Sequence, residues 1–300
     1  MRALITGGNG FVGRHLRAHL ESLGDSVAIL DLPQDITDYQ AVRAAIAVAQ
    51  PDAIYHLAAL SHVGSSWLNP SAVVDVNVSG TTNVLAAARE VVPKATVLFV
   101  SSAEVYGPRS PEEMPLRESI EPRPASPYAA SKLAGEVFAQ QAVRGFGQRV
   151  VIARPCNHVG PGQSPSFFIP GIASRMVEAT RSGATDIAVG NLTSRRDFTD
   201  VRDVVRAYRL LVERGVAGEV YVVASGRDVL MYDVADELRQ LVNPQLRFVE
   251  DSALLRPVDV PLLRGDASKL EAATGWRPEI SWSETLADIV TDATNAPATH

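Results

Sequence analysis

A chain with one cysteine, Cys156, among 300 residues cannot close an internal disulfide or build a thiolate metal cluster. That usage fits a reducing compartment, and Cys156 reads as a small buried filler. An excess of basic charge is also missing: 28 Lys and Arg against 34 Asp and Glu leave a net charge of -6. Without a cationic field, nucleic acid is not expected as a partner, and any phosphate must be held by a few placed groups. No apolar run reaches the ~20 residues that span a bilayer. The opening "MRALITGGNG" shows no charged leader with an apolar run behind it. Internal repeats and low-complexity tracts are absent as well. The expectation is a soluble, cytoplasmic protein without membrane contact, whose 46% hydrophobic content suffices for a large core.

What is present is a rhythm. Short apolar runs ("RALIT", "SVAIL", "AIYHLAA", "ATVLFVSS", "RVVIARP") alternate with amphipathic segments over 11–23, 39–49, 71–91 and 127–145. Strand, helix, strand in repetition predicts an α/β domain with a doubly wound parallel sheet over 1–155. Beyond it, "NHVGPGQSPSFFIPG" is so punctuated by Gly and Pro that an irregular ligand-wrapping loop is expected. Helices over 171–182, 201–214 and 231–241, a strand at "EVYVVAS" and the segment "RPVDVPLLRGDASKLEAATGW" follow. Residues 156–295 thus read mostly as a smaller substrate-binding lid, with parts of 190–230 completing the first domain and 296–300 a frayed tail.

The first run leads straight into "TGGNGFVGRHL", with Gly7, Gly10 and Gly13 between a strand and a helix. Gly7 permits the tight turn, Gly10 lets a pyrophosphate approach the backbone, and Gly13 lets the helix pack on the strand, while the helix N-terminus faces the negative charge. A dinucleotide is the reading of this context. Asp31, at the end of the second run, can accept both ribose hydroxyls of NAD(H) and repel the extra phosphate of NADP(H), which stays as the alternative. Asp35 in the short "DLPQDITD" can take a place beside the adenine instead.

In "SPYAASKLAG", Tyr128 and Lys132 lie four positions apart, on one helix face. An ammonium near a phenol favours the phenolate and is expected to lower a pKa that starts at about 10 toward the working pH. Ser102 in "FVSSAEVYG" emerges at the carboxyl end of a predicted strand, where open α/β sheets place ligands. His15 and His19 share a helix face, but no third ligand accompanies them, so no metal is expected.

The glycine motif, "HLAA", "SSAEVYG", "PYAASK" and "RDFTDVRD" together resemble the extended short-chain dehydrogenase/reductase family over nearly the whole chain, implying a Rossmann-type fold. The resemblance implies Ser102, Tyr128 and Lys132 as a catalytic triad: Tyr128 as acid/base, Lys132 on the nicotinamide ribose, and Ser102 orienting the sugar oxygen. It also places Asn9, Phe11 and Val12 of the glycine turn, Ile36, Leu57, Ala58, Ala59, Asn77, Val100, Pro155 and His158 against the cofactor. On the substrate side it implies Ser61, His62, Asn157, Phe168, Val189 and Asn191, with Arg196 and Arg256 clamping a diphosphate.

"SHVGSSWLNP", "RPCNHVGPGQS", "VGNLTSRRDFTDVRD" and "RPVDVPLLRGD" resemble the GDP-4-dehydro-6-deoxy-D-mannose reductases in particular. That branch implies reduction of a 4-keto-6-deoxy sugar on GDP to GDP-D-rhamnose. Glu104 stands where dehydratases keep a glutamate, so a GDP-mannose 4,6-dehydratase is the alternative; a 4-epimerase would use the same triad. A sensor that binds NAD without turnover is the non-enzymatic reading. Similar proteins pair the helices over 71–91 and 127–145 across a two-fold axis, so the resemblance implies a homodimer with a four-helix interface.

Overall fold

Strands that must be buried on both faces need apolar residues at every position, and helices are required to cover them. The computed structural model, which describes residues 1–254 and 261–296, realises this in its first half. β1 (Arg2–Thr6), α1 (Phe11–Ser22), β2 (Ser26–Leu30), α2 (Tyr39–Ala49) and β3 (Ala53–His56) alternate in order. Two short helices, α3 (Val63–Ser66) and α4 (Pro70–Val74), lead through a π-helical turn (Asp75–Ser79) into α5 (Gly80–Val91). β4 (Thr96–Val100), α6 (Pro127–Phe146) and β5 (Val150–Pro155) follow. Successive side chains point to opposite faces, so Ile5, Tyr55, Leu98 and Val151 enter one core and Leu4, Ile54, Phe99 and Ile152 the other.

The second half runs β6 (Asn157–Val159), α7 (Phe168–Ser182), β7 (Asp186–Val189), β8 (Arg195–Asp200), α8 (Val201–Arg214), β9 (Val220–Val223), β10 (Asp228–Leu230), α9 (Met231–Val242), β11 (Arg247–Glu250), β12 (Leu262–Leu263), α10 (Ser268–Thr274) and α11 (Trp282–Asn295). β9 returns to the first sheet, whose order is β2-β1-β3-β4-β5-β9, every pair parallel. α8 returns too: its Val204, Val205, Tyr208 and Leu211 join the same core as Ile5 and Tyr55. The small sheets β10-β8-β12 and β11-β7 and helices α7, α9 and α11 enclose a separate core around Ile172, Met176, Val234, Leu238 and Ile289. The acids of "RDFTDVRD" are structural. Asp200 caps α8 by accepting from the Arg202 N–H at 2.8 Å. Asp203 accepts the Glu279 and Ile280 N–H groups.

Two expectations need correction. The segment read as one helix over 71–91 is broken by the π turn, which turns Asn77 inward: its amide grips both backbone groups of Leu60 and donates to Ser131 Oγ at 2.9 Å. Within "NHVGPGQSPSFFIPG", Asn157–Val159 is a strand paired with β8, and α7 already begins at Phe168. Pro170 falls in its first turn, where no helical N–H is demanded. Arg256 and residues 297–300 of the expected frayed tail lie outside the described residues. No helix among the described residues is long and apolar enough to cross a membrane.

α6 is anchored to the sheet by a buried ion pair. Arg154 donates to both oxygens of Glu136, at 2.8 and 2.6 Å, and the two side chains are 5% and 3% exposed. Glu136 also accepts from Ser101 Oγ, and Arg154 donates to the Tyr106 hydroxyl at 3.0 Å. Removing one partner strands the other charge, so Glu136→Leu is expected to destabilise the protein by about 3–5 kcal/mol, measured as a lower midpoint in urea denaturation.

Candidate active site

The site is built where the loops leave the carboxyl ends of the parallel strands. At the β1–α1 turn, Gly7 has φ +72° and a Cβ there would sit 2.9 Å from the Ala58 backbone; one at Gly13 would sit 2.4 Å from the Gly7 carbonyl. Only glycine fits either place, and the backbone is thereby left open to a close neighbour. α1 starts from Gly10 with no side-chain cap, so its first N–H groups point outward, ready for an anion. Asp31 is tied to this turn: its carboxylate accepts the Asn9 N–H and the Leu32 N–H, each at 2.8 Å. The residues present therefore fit a dinucleotide.

At the next edge, α6 is capped by Ser126, whose hydroxyl accepts the Ala129 N–H at 3.1 Å, with Pro127 in the first turn. This start places Tyr128 and Lys132 one turn apart beneath the loop after β4, both buried (8% and 4% exposed). Lys132 Nζ donates to the Val100 carbonyl at 2.8 Å, and Ser102 Oγ accepts the Glu104 N–H at 3.1 Å. Burial lowers the Lys132 ammonium to about 8, against the support of Glu136. Burial pushes the Tyr128 phenol up to about 12; the Ser102 hydroxyl pulls it down and the Glu104 carboxylate pushes it up further. The expected acidification of Tyr128 by Lys132 is therefore overturned: desolvation dominates, and the ammonium is engaged by a carbonyl. Burial thus favours the protonated form of the phenol.

These groups face one continuous cavity of about 1540 Å³, ample for two ligands when a drug-sized one takes ~300–1,000 Å³.

A family model described as GDP-mannose 4,6 dehydratase matches residues 28–289. The GDP-6-deoxy-D-mannose reductase of Pseudomonas aeruginosa is 36% identical over 97% of this chain and 96% of its own length. The chain belongs to the GDP-mannose 4,6-dehydratase family. A GDP-6-deoxy-D-talose 4-dehydrogenase of Aggregatibacter actinomycetemcomitans is 31% identical over 90% of each chain. The solved structure of RMD from Pseudomonas aeruginosa complexed with NADPH superposes with a TM-score of 0.88 at 34% identity, covering 98% of this chain and 99% of that one. The resemblance to the extended short-chain dehydrogenases/reductases is thus borne out.

In this family member the cavity is lined by most of the residues singled out from sequence. Around the turn these are Gly7, Gly10, Phe11, Val12, Gly13, Asp31, Asp35, Ile36, Leu57, Ala58 and Ala59. Near the phenol they are Val100, Ser102, Glu104, Tyr128, Lys132, Pro155, Asn157 and His158, and on the outer side Ser61, His62, Phe168, Asn191 and Arg196. Three expected contacts do not line it. Asn9 uses its backbone to hold Asp31, Asn77 braces the 57–60 loop, and Val189 is buried in the lid core. Arg195 is held by Asp228 and Arg196, the next residue along the strand, lines the cavity. His56 is structural, bridging Thr6 and Thr81 at 2.8 and 2.9 Å, its pKa lowered by burial to about 3. Sequence reasoning missed Gln163, Arg175 and Phe198 on the cavity wall. A signal was there for Arg175, since Ser174, Arg175 and Glu178 form a polar stripe between the apolar positions of α7.

Because the folded protein holds the Lys132 ammonium at about 8 rather than 10.5, the unfolded chain binds that proton more tightly. The buried charge costs stability below pH 8, and the cost is relieved as pH rises from about 8 to 10.5. Lys132→Met is thus expected to raise the melting midpoint at pH 7 by about 2–6 °C and to abolish turnover, read by calorimetry and a cofactor absorbance assay.

Proposed function

We propose that the protein reduces the C4 ketone of GDP-4-dehydro-6-deoxy-D-mannose, giving GDP-D-rhamnose. The observation that carries this reading is a buried phenol, Tyr128, beside Ser102 in a cavity that begins at the glycine turn. The nicotinamide cofactor, when bound, supplies the hydride. The chain's own groups do the rest. Ser102 holds O4 of the sugar, Tyr128 gives its proton to that oxygen as C4 gains hydride, and the charged Lys132 one turn away steadies the phenolate left behind. Since Lys132 is charged below about 8, the reductive rate is expected to fall as pH rises through that value, with no loss from titration of the phenol.

Asp31 supports NADH as the reductant: its carboxylate lines the cavity beside the glycine turn, suited to a ribose diol and hostile to a 2′-phosphate. Arg196 supports a diphosphate. A homodimer is supported by α6, which leaves Val137 and Phe138 exposed beside α5. Dehydration of GDP-mannose is the second reading, favoured by Glu104, whose carboxylate acts on Tyr128.

The test supplies GDP-4-dehydro-6-deoxy-D-mannose with NADH, and separately GDP-mannose with NAD, and identifies products by mass spectrometry. Gain of two hydrogens on the keto sugar, with NADH favoured over NADPH by at least about 10-fold, is the expected outcome. Loss of water from GDP-mannose would establish the dehydratase instead. Tyr128→Phe is expected to lower kcat by about 10²- to 10⁴-fold while NADH binding is kept.

A further inference from the structure

The lid wall of the cavity is α7, whose Phe168, Gly171, Ser174, Arg175 and Glu178 line it. The spacing of three and four residues puts them along one side of the helix. Other arginines nearby have partners: Arg181 donates to the Thr294 carbonyl at 2.6 Å, and Arg202 reaches Asp200 and Asp288 at 2.8 and 2.9 Å. Arg175 differs. Its Nε is buried with no hydrogen-bond partner among the described residues, and burial lowers its pKa. A guanidinium N–H withdrawn from water without an acceptor is a standing cost, relieved by a ligand whose acceptors meet that edge of the fork.

Position narrows what that ligand is. The cofactor end of the cavity is taken by the glycine turn and Asp31, the sugar end by Tyr128 and Ser102, and a diphosphate by Arg196. The stretch along α7 is left for the base. It carries both signs, because Glu178 lines it one turn beyond Arg175; a carboxylate there opposes a phosphate but accepts N–H groups. Guanine presents O6 and N7 as adjacent acceptors and a 2-amino donor, whereas adenine puts an amino donor where O6 stands.

We propose that Arg175 is the residue that reads the guanine base, forking onto O6 and N7, with Glu178 beside it on the donor edge. The inference rests on the GDP-sugar reading above.

Calorimetric titration of the NADH-loaded protein with GDP, ADP and UDP tests it in the wild type, Arg175→Met and Arg175→Lys. The wild type is expected to bind GDP at least about 10-fold more tightly than ADP or UDP. Arg175→Met should lose about 10- to 100-fold of GDP affinity with ADP affinity unchanged. Arg175→Lys, which keeps the charge but not the fork, should lose the preference as well; it also serves if the Met variant fails to fold, as judged by NADH binding. Equal losses for GDP and ADP would make Arg175 a phosphate clamp and overturn the proposal, as would an intact GDP preference in either folded variant. A wild type indifferent to the base would instead overturn the GDP-sugar reading, and this inference with it.

Discussion

An ammonium and a phenol, one helical turn apart, are both withdrawn from water at the carboxyl edge of a parallel sheet. Everything chemical in this protein depends on that burial. In water, a nearby ammonium would make the phenol more acidic; here desolvation acts on both groups at once and in opposite senses, making the ammonium easier to discharge and the phenol harder to ionise. The arrangement suits the delivery of a proton to a forming alkoxide.

Keeping such a pair in place requires a rigid support, and the fold supplies it from beneath. The Glu136–Arg154 pair fastens α6 to β5, Ser101 joins the same carboxylate, and the Val100 carbonyl receives Lys132. Val100, Ser101 and Ser102 are consecutive. One short stretch at the end of β4 therefore sets the helix, the ammonium and the Ser102 hydroxyl together. The glycine turn works similarly on the other side: close approach of the β1–α1 turn to Ala58 and of α1 to Gly7 leaves backbone, rather than side chain, facing the cavity.

Features governed by local geometry were legible in the sequence. Gly7 and Gly13 could be read because only glycine satisfies their spacing and conformation. Tyr128 and Lys132 could be read because a four-residue interval on a helix needs no tertiary knowledge. The alternation of apolar runs and amphipathic segments over 1–155 likewise specified the parallel sheet. Properties set by the surroundings were not legible. The acidity of Tyr128 depends on how much water the loop after β4 excludes. Asn77 turns inward because of a π turn that nothing in "VVDVNVSG" announces. Gly and Pro made 157–170 look irregular, yet strand pairing with β8 and the tolerance of a first helical turn for Pro170 gave it regular ends. Arg175 was overlooked because an arginine in a polar stripe on an amphipathic helix ordinarily faces solvent, and only the packed lid shows that its Nε is buried.

The central claim is that the phenol of Tyr128 is kept protonated by burial. NMR titration of protein labelled at tyrosine Cζ, with the Tyr128→Phe variant to assign the resonance, measures it directly. The account predicts a Tyr128 signal that stays in its protonated position through neutral and mildly alkaline pH, titrating only near 12. A resonance that moves to the phenolate position near pH 7 would contradict it.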